Sequence, residues 1–218
     1  MRLRGKFLPS RWAKGEANFN DVGLWIEDHQ VMQYWERPLM GALARLVTRA
    51  PGVKILEVGF GLGLSAQAIL DRGCSDYTVI EAHPAVAERA RAWARDQRIP
   101  VRVVEGLWQD SLECLGRFDG ILFDTYPTNE LEYGEEQFEF VRPFMDHVPS
   151  LLAERGCFAY YTDETRDFRQ AHLNMVLARF SSVELKVVEG LRPPPECEYW
   201  SHDHMVIACL SEPRSIKQ

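Results

Sequence analysis

No apolar run in this 218-residue chain is long enough to span a bilayer, so no membrane association is expected. Cysteine is scarce and unpaired in pattern. The five residues Cys74, Cys114, Cys157, Cys197 and Cys209 are scattered, odd in number and never in a C-x-x-C pair, which reads as reduced, mostly buried thiols in a cytoplasmic protein. No His/Cys spacing supports a zinc site, and no metal is expected. A basic excess is missing too: 25 Lys and Arg stand against 32 Asp and Glu, a net charge of −7, which argues against a broad nucleic-acid-binding face. Met1 to Lys6 is basic, but no apolar segment follows it, so a secretory leader is not expected. There is no internal repeat and no low-complexity tract. With 46% hydrophobic residues the chain can bury a core, and one domain over 1–218 is expected.

What is present centres on Lys54-Ile-Leu-Glu-Val-Gly-Phe-Gly-Leu-Gly-Leu-Ser65. An apolar run over 53–58 carries one acid, Glu57. Glycines follow at 59, 61 and 63, then a helix-like stretch over 65–70. Strand, glycine turn and helix in that order form a ligand-binding pattern, because glycine admits positive φ and the helix start offers free N–H groups. Glu57 in front of the glycines disfavours a pyrophosphate and favours a ligand bearing a cation or an amino group, such as S-adenosylmethionine.

Along the chain, 21–32 and 37–48 read as helices. In the second, Leu39, Met40, Leu43, Leu46 and Val47 recur at helical spacing behind Pro38. With the arm before them, residues 1–48 are expected to cover the site as a lid. Trp12 and Phe19 either pin that arm to the body or close over a ligand. Strands are predicted over 77–80, 101–104, 118–123, 157–161, 183–188 and 205–210, and helices over 84–95, 138–152 (interrupted at Pro143) and 172–180. The fold class expected is α/β: a doubly wound, mostly parallel sheet with a C-terminal antiparallel hairpin. Glu81 ends the second strand of the glycine unit, where such folds place the acceptor for ribose hydroxyls. Asp124 ends a central strand, where open sheets bind ligands. Trp108 either flanks an adenine or fills the core. The acid-rich 130–139 reads mainly as a solvated face, and His83, His202 and His204 as surface or packing residues.

Four ordered stretches carry a resemblance: Trp35-Glu36-Arg37-Pro38-Leu39-Met40, Glu57-Val58-Gly59-Phe60-Gly61, Glu105 to Asp110, and Phe118 to Pro127. Together they resemble the guanidinoacetate N-methyltransferase family, from about Trp12 onward. The resemblance implies a class I, Rossmann-like methyltransferase sheet of about seven strands, with S-adenosylmethionine as cofactor. It implies that Trp12, Met32 and Met40 cover the donor, that Glu57 and the glycine loop (Gly59, Phe60, Gly61, Leu62, Gly63, Leu64, Ser65) hold it, and that Glu81 with Ala82 takes its ribose. Leu107 and Trp108 match the adenine side, although Gln109 stands where the family has Glu. Glu36 and Asp124 match the acids that hold the guanidino group, with Tyr126 on the acceptor side. A guanidinium presents N–H groups in a planar fork that carboxylates meet two bonds at a time.

One stretch departs from the family. Thr162-Asp163-Glu164-Thr165 replaces a neutral segment that holds the acceptor's carboxylate. Asp163 and Glu164 would repel a carboxylate and suit an α-ammonium group, favouring free L-arginine over guanidinoacetate. The alternatives are methylation of arginine in a protein, a donor-binding scaffold without turnover, and a nicotinamide dehydrogenase, which Glu57 disfavours. The expected partner is a small guanidino substrate, with no nucleic acid and no membrane; a homodimer is left open.

Overall fold

The computed structural model describes residues 14–113, 115–125, 137–166 and 168–214. Its N-terminal part overturns the helix expected over 21–32. Strands β1 (Ala17–Phe19), β2 (Gly23–Ile26) and β3 (His29–Gln33) form an antiparallel three-stranded sheet instead. The chain reverses between β2 and β3 through Glu27, at φ 51°, and Asp28. That two-residue turn, flanked by alternating Leu24 and Ile26 (both buried), outweighs the helical spacing. A 3₁₀ turn, Tyr34–Glu36, leads into helix α1 (Arg37–Val47). Pro38 stands in the first turn of α1, and the five residues singled out for their period are all buried.

The large sheet is built from β4 (Lys54–Val58), β5 (Asp76–Glu81), β6 (Val101–Glu105), β7 (Phe118–Phe123), β8 (Leu152–Glu164), β9 (Phe180–Glu189) and β10 (His204–Pro213). Its order is β6-β5-β4-β7-β8-β10-β9. The first five are parallel, and β10 runs antiparallel to both β8 and β9. Helices α2 (Leu64–Asp71) and α3 (Pro84–Arg95) cross over between β4, β5 and β6, and the short α4 (Trp108–Ser111) follows β6. This is the α/β doubly wound sheet anticipated, with its antiparallel C-terminal pair, although 14 residues (190–203) join that pair and β10 inserts inside β9.

Two expectations are corrected in the second half. The helix expected over 138–152 is a 3₁₀ segment (Gln137–Val141), then α5 (Arg142–Met145) and α6 (Val148–Leu151). Pro143 and Pro149 each stand in a first turn, where the missing N–H costs nothing but the preceding turn cannot continue. Helix α7 (Gln170–Leu177) then packs against β9. The second correction concerns the thiols: Cys157 on β8 and Cys209 on β10 are joined in a disulfide, with Cα atoms 6.0 Å apart, while Cys74 and Cys197 are free. The bonded pair is separated by 52 residues, so only the sheet register brings it together.

Apolar cores lie on both faces. Leu39, Leu43, Ile55, Ala66, Tyr77 and Ile207 pack with the hairpin and α1–α3, while Leu56, Ile121, Phe144, Phe158 and Phe180 pack beneath α5–α7. Each fully buried side chain of this size contributes about 1.5–3 kcal/mol, so the sheet is a rigid base for the loops at its carboxyl ends. No helix among the described residues is long and apolar enough to cross a membrane.

Candidate active site

The strand order reverses at β4. Its neighbours β5 and β6 lie to one side, β7 and β8 to the other, so the loops leaving β4 and β7 diverge and open a crevice. Val58 pairs with Phe123, and the next residues stay in contact: the Asp124 N–H donates to the Val58 carbonyl at 2.9 Å. Gly59 has φ 92°, and a Cβ there would lie 2.0 Å from the Asp124 carbonyl oxygen. Only glycine lets the two loops meet. One step on, Gly61 takes φ 53°, and a Cβ there would press on the Met32 side chain, 2.8 Å from Sδ. The Leu62 N–H donates to that sulfur at 3.3 Å, so the hairpin closes directly on the glycine loop.

The cleft formed there encloses about 1220 Å³, its open mouth included. Leu24, Ile26, Val31 and Met32 form one wall, and Phe138, Phe140 and Val141 form the other. Gly59, Gly61, Glu81, Ala82, Asp124 and Thr125 make the base, with Tyr161, Thr162 and Asp163 at the end of β8 and Tyr199 from the 190–203 connection. Among the described residues its lining includes four carboxylates, Glu36, Glu81, Asp124 and Asp163, and no Lys, Arg or His.

That imbalance shows in the acids themselves. Burial, then the nearby Asp124 charge, pushes Glu36 up to about 8. Burial pushes Asp124 to about 7 and Asp163 to about 6. Glu81 is also raised by burial, but its carboxylate accepts the Phe60 N–H at 2.8 Å and the His83 N–H at 2.7 Å, which oppose the rise. Burial raises all four acids, and a bound cation would favour their charged forms.

The cleft therefore gathers Met32, Glu36, Gly59, Gly61, Glu81, Ala82, Asp124 and Asp163 from the anticipated set. Others stand behind it. Glu57 is fully buried, with Ser65 Oγ donating to one carboxylate oxygen and Tyr77 Oη to the other; burial first raises it to about 8. Its influence reaches the cleft through its field and through the loop it braces. Phe60 turns inward, with its ring against Gly63 and 5.5 Å from that of Trp93. Leu62, Leu64 and Ser65 are buried on the far side of the loop, and Met40 lies in the α1 core. Leu107 and Trp108 do not line the cleft; Trp108 packs edge-on to Phe123, Phe144 and His147. Phe19 lies under the Arg89 guanidinium (4.6 Å), and His83 Nε2 meets the Gly15 carbonyl at 3.0 Å, so the described part of the arm is pinned to α3. Trp12, Tyr126 and most of 130–139 lie outside the described residues.

The two acids after the fifth strand part company. The end of β8 is irregular, with a register shift against β10. Tyr161 and Asp163 face the cleft, Asp163 with φ 57°. Tyr160 and Glu164 face the other way, where His172 Nδ1 meets Glu164 at 2.8 Å and its Nε2 meets Tyr160 Oη at 2.7 Å. Arg169 Nε also donates to Glu164 at 2.9 Å. Glu164 is thus held in a buried cluster and does not reach the cleft, contrary to the expectation. His172 stacks on Phe138 (4.4 Å between ring centres, 8° between planes), which steadies the aromatic wall. The sequence reading missed Tyr199 and Tyr161. The two-residue alternation over 157–164 could have found Tyr161; nothing local marks Tyr199.

The donor implied by the resemblance fits this geometry: the carboxylate of Glu81 ends β5, two glycines leave room where any Cβ would collide, and the acids complement a sulfonium and an ammonium. The family model described as guanidinoacetate N-methyltransferase matches residues 3–212. Protein arginine N-methyltransferase 2 of Emericella nidulans is 29% identical over 157 residues, covering 70% of this chain and 35% of that protein. The Yarrowia lipolytica protein of the same name is 34% identical over 151 residues, covering 65% and 30%. The chain thus spans about a third of the length of these curated relatives. In fold it is similar to spermidine synthase in complex with the transition-state analogue AdoDATO (16% identity, TM-score 0.66, 90% of this chain and 73% of that one). It is likewise similar to the N-methyltransferase NodS of Bradyrhizobium japonicum in complex with S-adenosyl-L-homocysteine (17%, TM-score 0.60, 83% and 89%). From its sheet order, its glycine-loop cleft and the match across nearly its whole length, the chain belongs to the guanidinoacetate N-methyltransferase family of S-adenosylmethionine-dependent enzymes.

Proposed function

We propose that the protein transfers a methyl group from S-adenosylmethionine to a guanidino nitrogen of a small acceptor, with free L-arginine preferred to guanidinoacetate. The observation that carries this reading is the set of four carboxylates on the cleft's described lining, where the Asp124 charge acts on Glu36. When bound, the donor supplies an electrophilic methyl group on a sulfonium. Glu36 and Asp124 together accept hydrogen bonds from the planar guanidinium and fix which nitrogen is presented. A guanidinium arrives protonated and is a poor nucleophile. As the C–N bond forms, that nitrogen must lose one proton, and the Asp124 carboxylate is the acceptor. Its value of about 7 suits a group that takes a proton and then returns it to water near neutral pH. Orientation supplies a further large share, up to roughly 7–11 kcal/mol for well-aligned partners.

Asp163 supports the preference for arginine. It is the one acid of the departing stretch that faces the cleft, and no basic side chain among the described lining residues would receive a guanidinoacetate carboxylate. A second reading, methylation of arginine within a protein, draws on the names of the fungal relatives. A peptide-borne arginine has no α-ammonium to offer Asp163. Turnover should be measured side by side on L-arginine, guanidinoacetate and an arginine-containing peptide, with wild type and Asp163→Asn. The expected result is arginine turned over best, with its KM raised about tenfold by the substitution and guanidinoacetate turnover unharmed, the loss of one charged contact. Preference for guanidinoacetate or peptide in the wild type would overturn it.

A further inference from the structure

Tyr199 lies 163 residues from Glu36 in sequence, yet its Oη donates to Glu36 Oε1 at 2.6 Å. The Gln33 N–H donates to the same oxygen at 2.7 Å, across the 3₁₀ turn that begins α1. Both contacts fall on Oε1, which leaves Oε2 as the atom available to a ligand. Tyr199 is itself held. Its ring stacks on Trp35 (6.0 Å, 29°), and the loop segment before it is clamped by Gln30, whose Nε2 donates to the Glu196 carbonyl at 2.7 Å while its Oε1 accepts the Glu198 N–H at 2.9 Å. The amide of Gln30 thus reads the backbone of 196–198 as a neighbouring strand would, and sets the 190–203 connection against β3.

We propose, building on the guanidino-methyltransferase reading, that Tyr199 is a positioning residue that pins one oxygen of Glu36 and so fixes which carboxylate atom meets the acceptor. The groups facing Glu36 are Asp124 across the cleft, the Cys197 thiol, the Tyr199 hydroxyl and the Gln33 amide, with Tyr161 beside Tyr199. Burial and the Glu36 charge push the Tyr199 hydroxyl far above its usual range, and burial raises the Cys197 thiol, so both stay protonated and Tyr199 always donates. Asp124 works in the opposite sense, since its charge favours the neutral form of Glu36. The Tyr199 hydrogen bond is what keeps Glu36 ionisable near neutrality, because a donor stabilises the charged acid.

The test is a ¹³C-carboxyl NMR titration of the full chain, with the Glu36 signal assigned by its loss in Glu36→Gln. In Tyr199→Phe the Glu36 midpoint should rise by about one pH unit, the effect of one lost charge-assisted hydrogen bond. Gln30→Ala, which keeps the hydroxyl but frees its segment, should move it in the same direction by less. With a turned-over guanidine, the acid limb of kcat/KM should follow the NMR midpoint and KM should rise more than kcat falls, while S-adenosylhomocysteine affinity stays constant. An unchanged Glu36 midpoint in a folded Tyr199→Phe protein would overturn the inference. Failure of the wild type to methylate any guanidine would overturn the functional reading instead, and the titration still decides the role of Tyr199.

Discussion

The two halves of the cleft are built in different ways. The half proposed for the donor is local: Gly59, Gly61, Glu81 and Ala82 all leave the carboxyl ends of adjacent parallel strands within 24 residues of one another. Backbone geometry alone places them. The half proposed for the acceptor is assembled from a distance, with Glu36 before α1, Asp124 after β7, Asp163 at the end of β8 and Tyr199 between the last two strands. Its parts are set by side-chain contacts across the fold. A site divided this way can keep one donor while its acceptor half diverges, and the departure at 162–165 falls in the acceptor half.

The comparison breaks most sharply at Asp124, which belongs to both halves. Asp124→Asn should lower turnover by roughly 10²–10⁴-fold, the range of a lost general base, while S-adenosylhomocysteine still binds in calorimetry. Glu36→Gln should chiefly raise the acceptor KM. Near-normal turnover in the Asp124 variant would remove that residue from the chemistry.

Gly59→Ala probes the donor half by its backbone. The Cβ would lie 2.0 Å from the Asp124 carbonyl, at a φ that side chains avoid. Denaturant unfolding should show a loss of about 1–3 kcal/mol, and donor affinity should fall with it. An unchanged unfolding midpoint would mean that the β4 and β7 loops can part without consequence.

The last contrast is in pH dependence, and it separates an empty cleft from a filled one. Glu36, Glu57, Asp124 and Asp163 all have raised values in the folded protein, to about 8, 8, 7 and 6. Between the ordinary carboxylate range and those values the folded chain binds protons that the unfolded chain has released. Their contribution to stability is therefore fully present below about pH 4 and lost as pH rises through 6 to 8. The melting temperature of the ligand-free protein should decline over that window. A cationic ligand pair should flatten the decline and release protons on binding, seen as calorimetric heats that depend on the buffer. A melting temperature that rises from pH 5 to 8 without ligand would contradict the raised values.

The glycine turn, Glu81, Asp124 and α1 were legible because each is a short-range pattern: a period, a strand end, a residue type that alone fits a backbone. The 21–32 segment was misread because a two-residue turn with positive φ at Glu27 carries no glycine or asparagine to announce it. Glu164 turns away from the cleft because the β8 register shifts beside β10 and Asp163 takes a positive φ, neither of which leaves a mark in the sequence. The Cys157–Cys209 pair and the Tyr199 contact to Glu36 join residues 52 and 163 apart, and no local rule reaches that far.

By itself, the order of residues determined the parallel sheet, the place where it opens and the acidity of what lines the opening, since strand period, glycine conformation and charge are properties of neighbours in the chain. Only the tertiary structure decided which acids face inward and which tyrosine holds them. Those outcomes depend on sheet register and loop closure, where a shift of one residue turns every side chain to the opposite face.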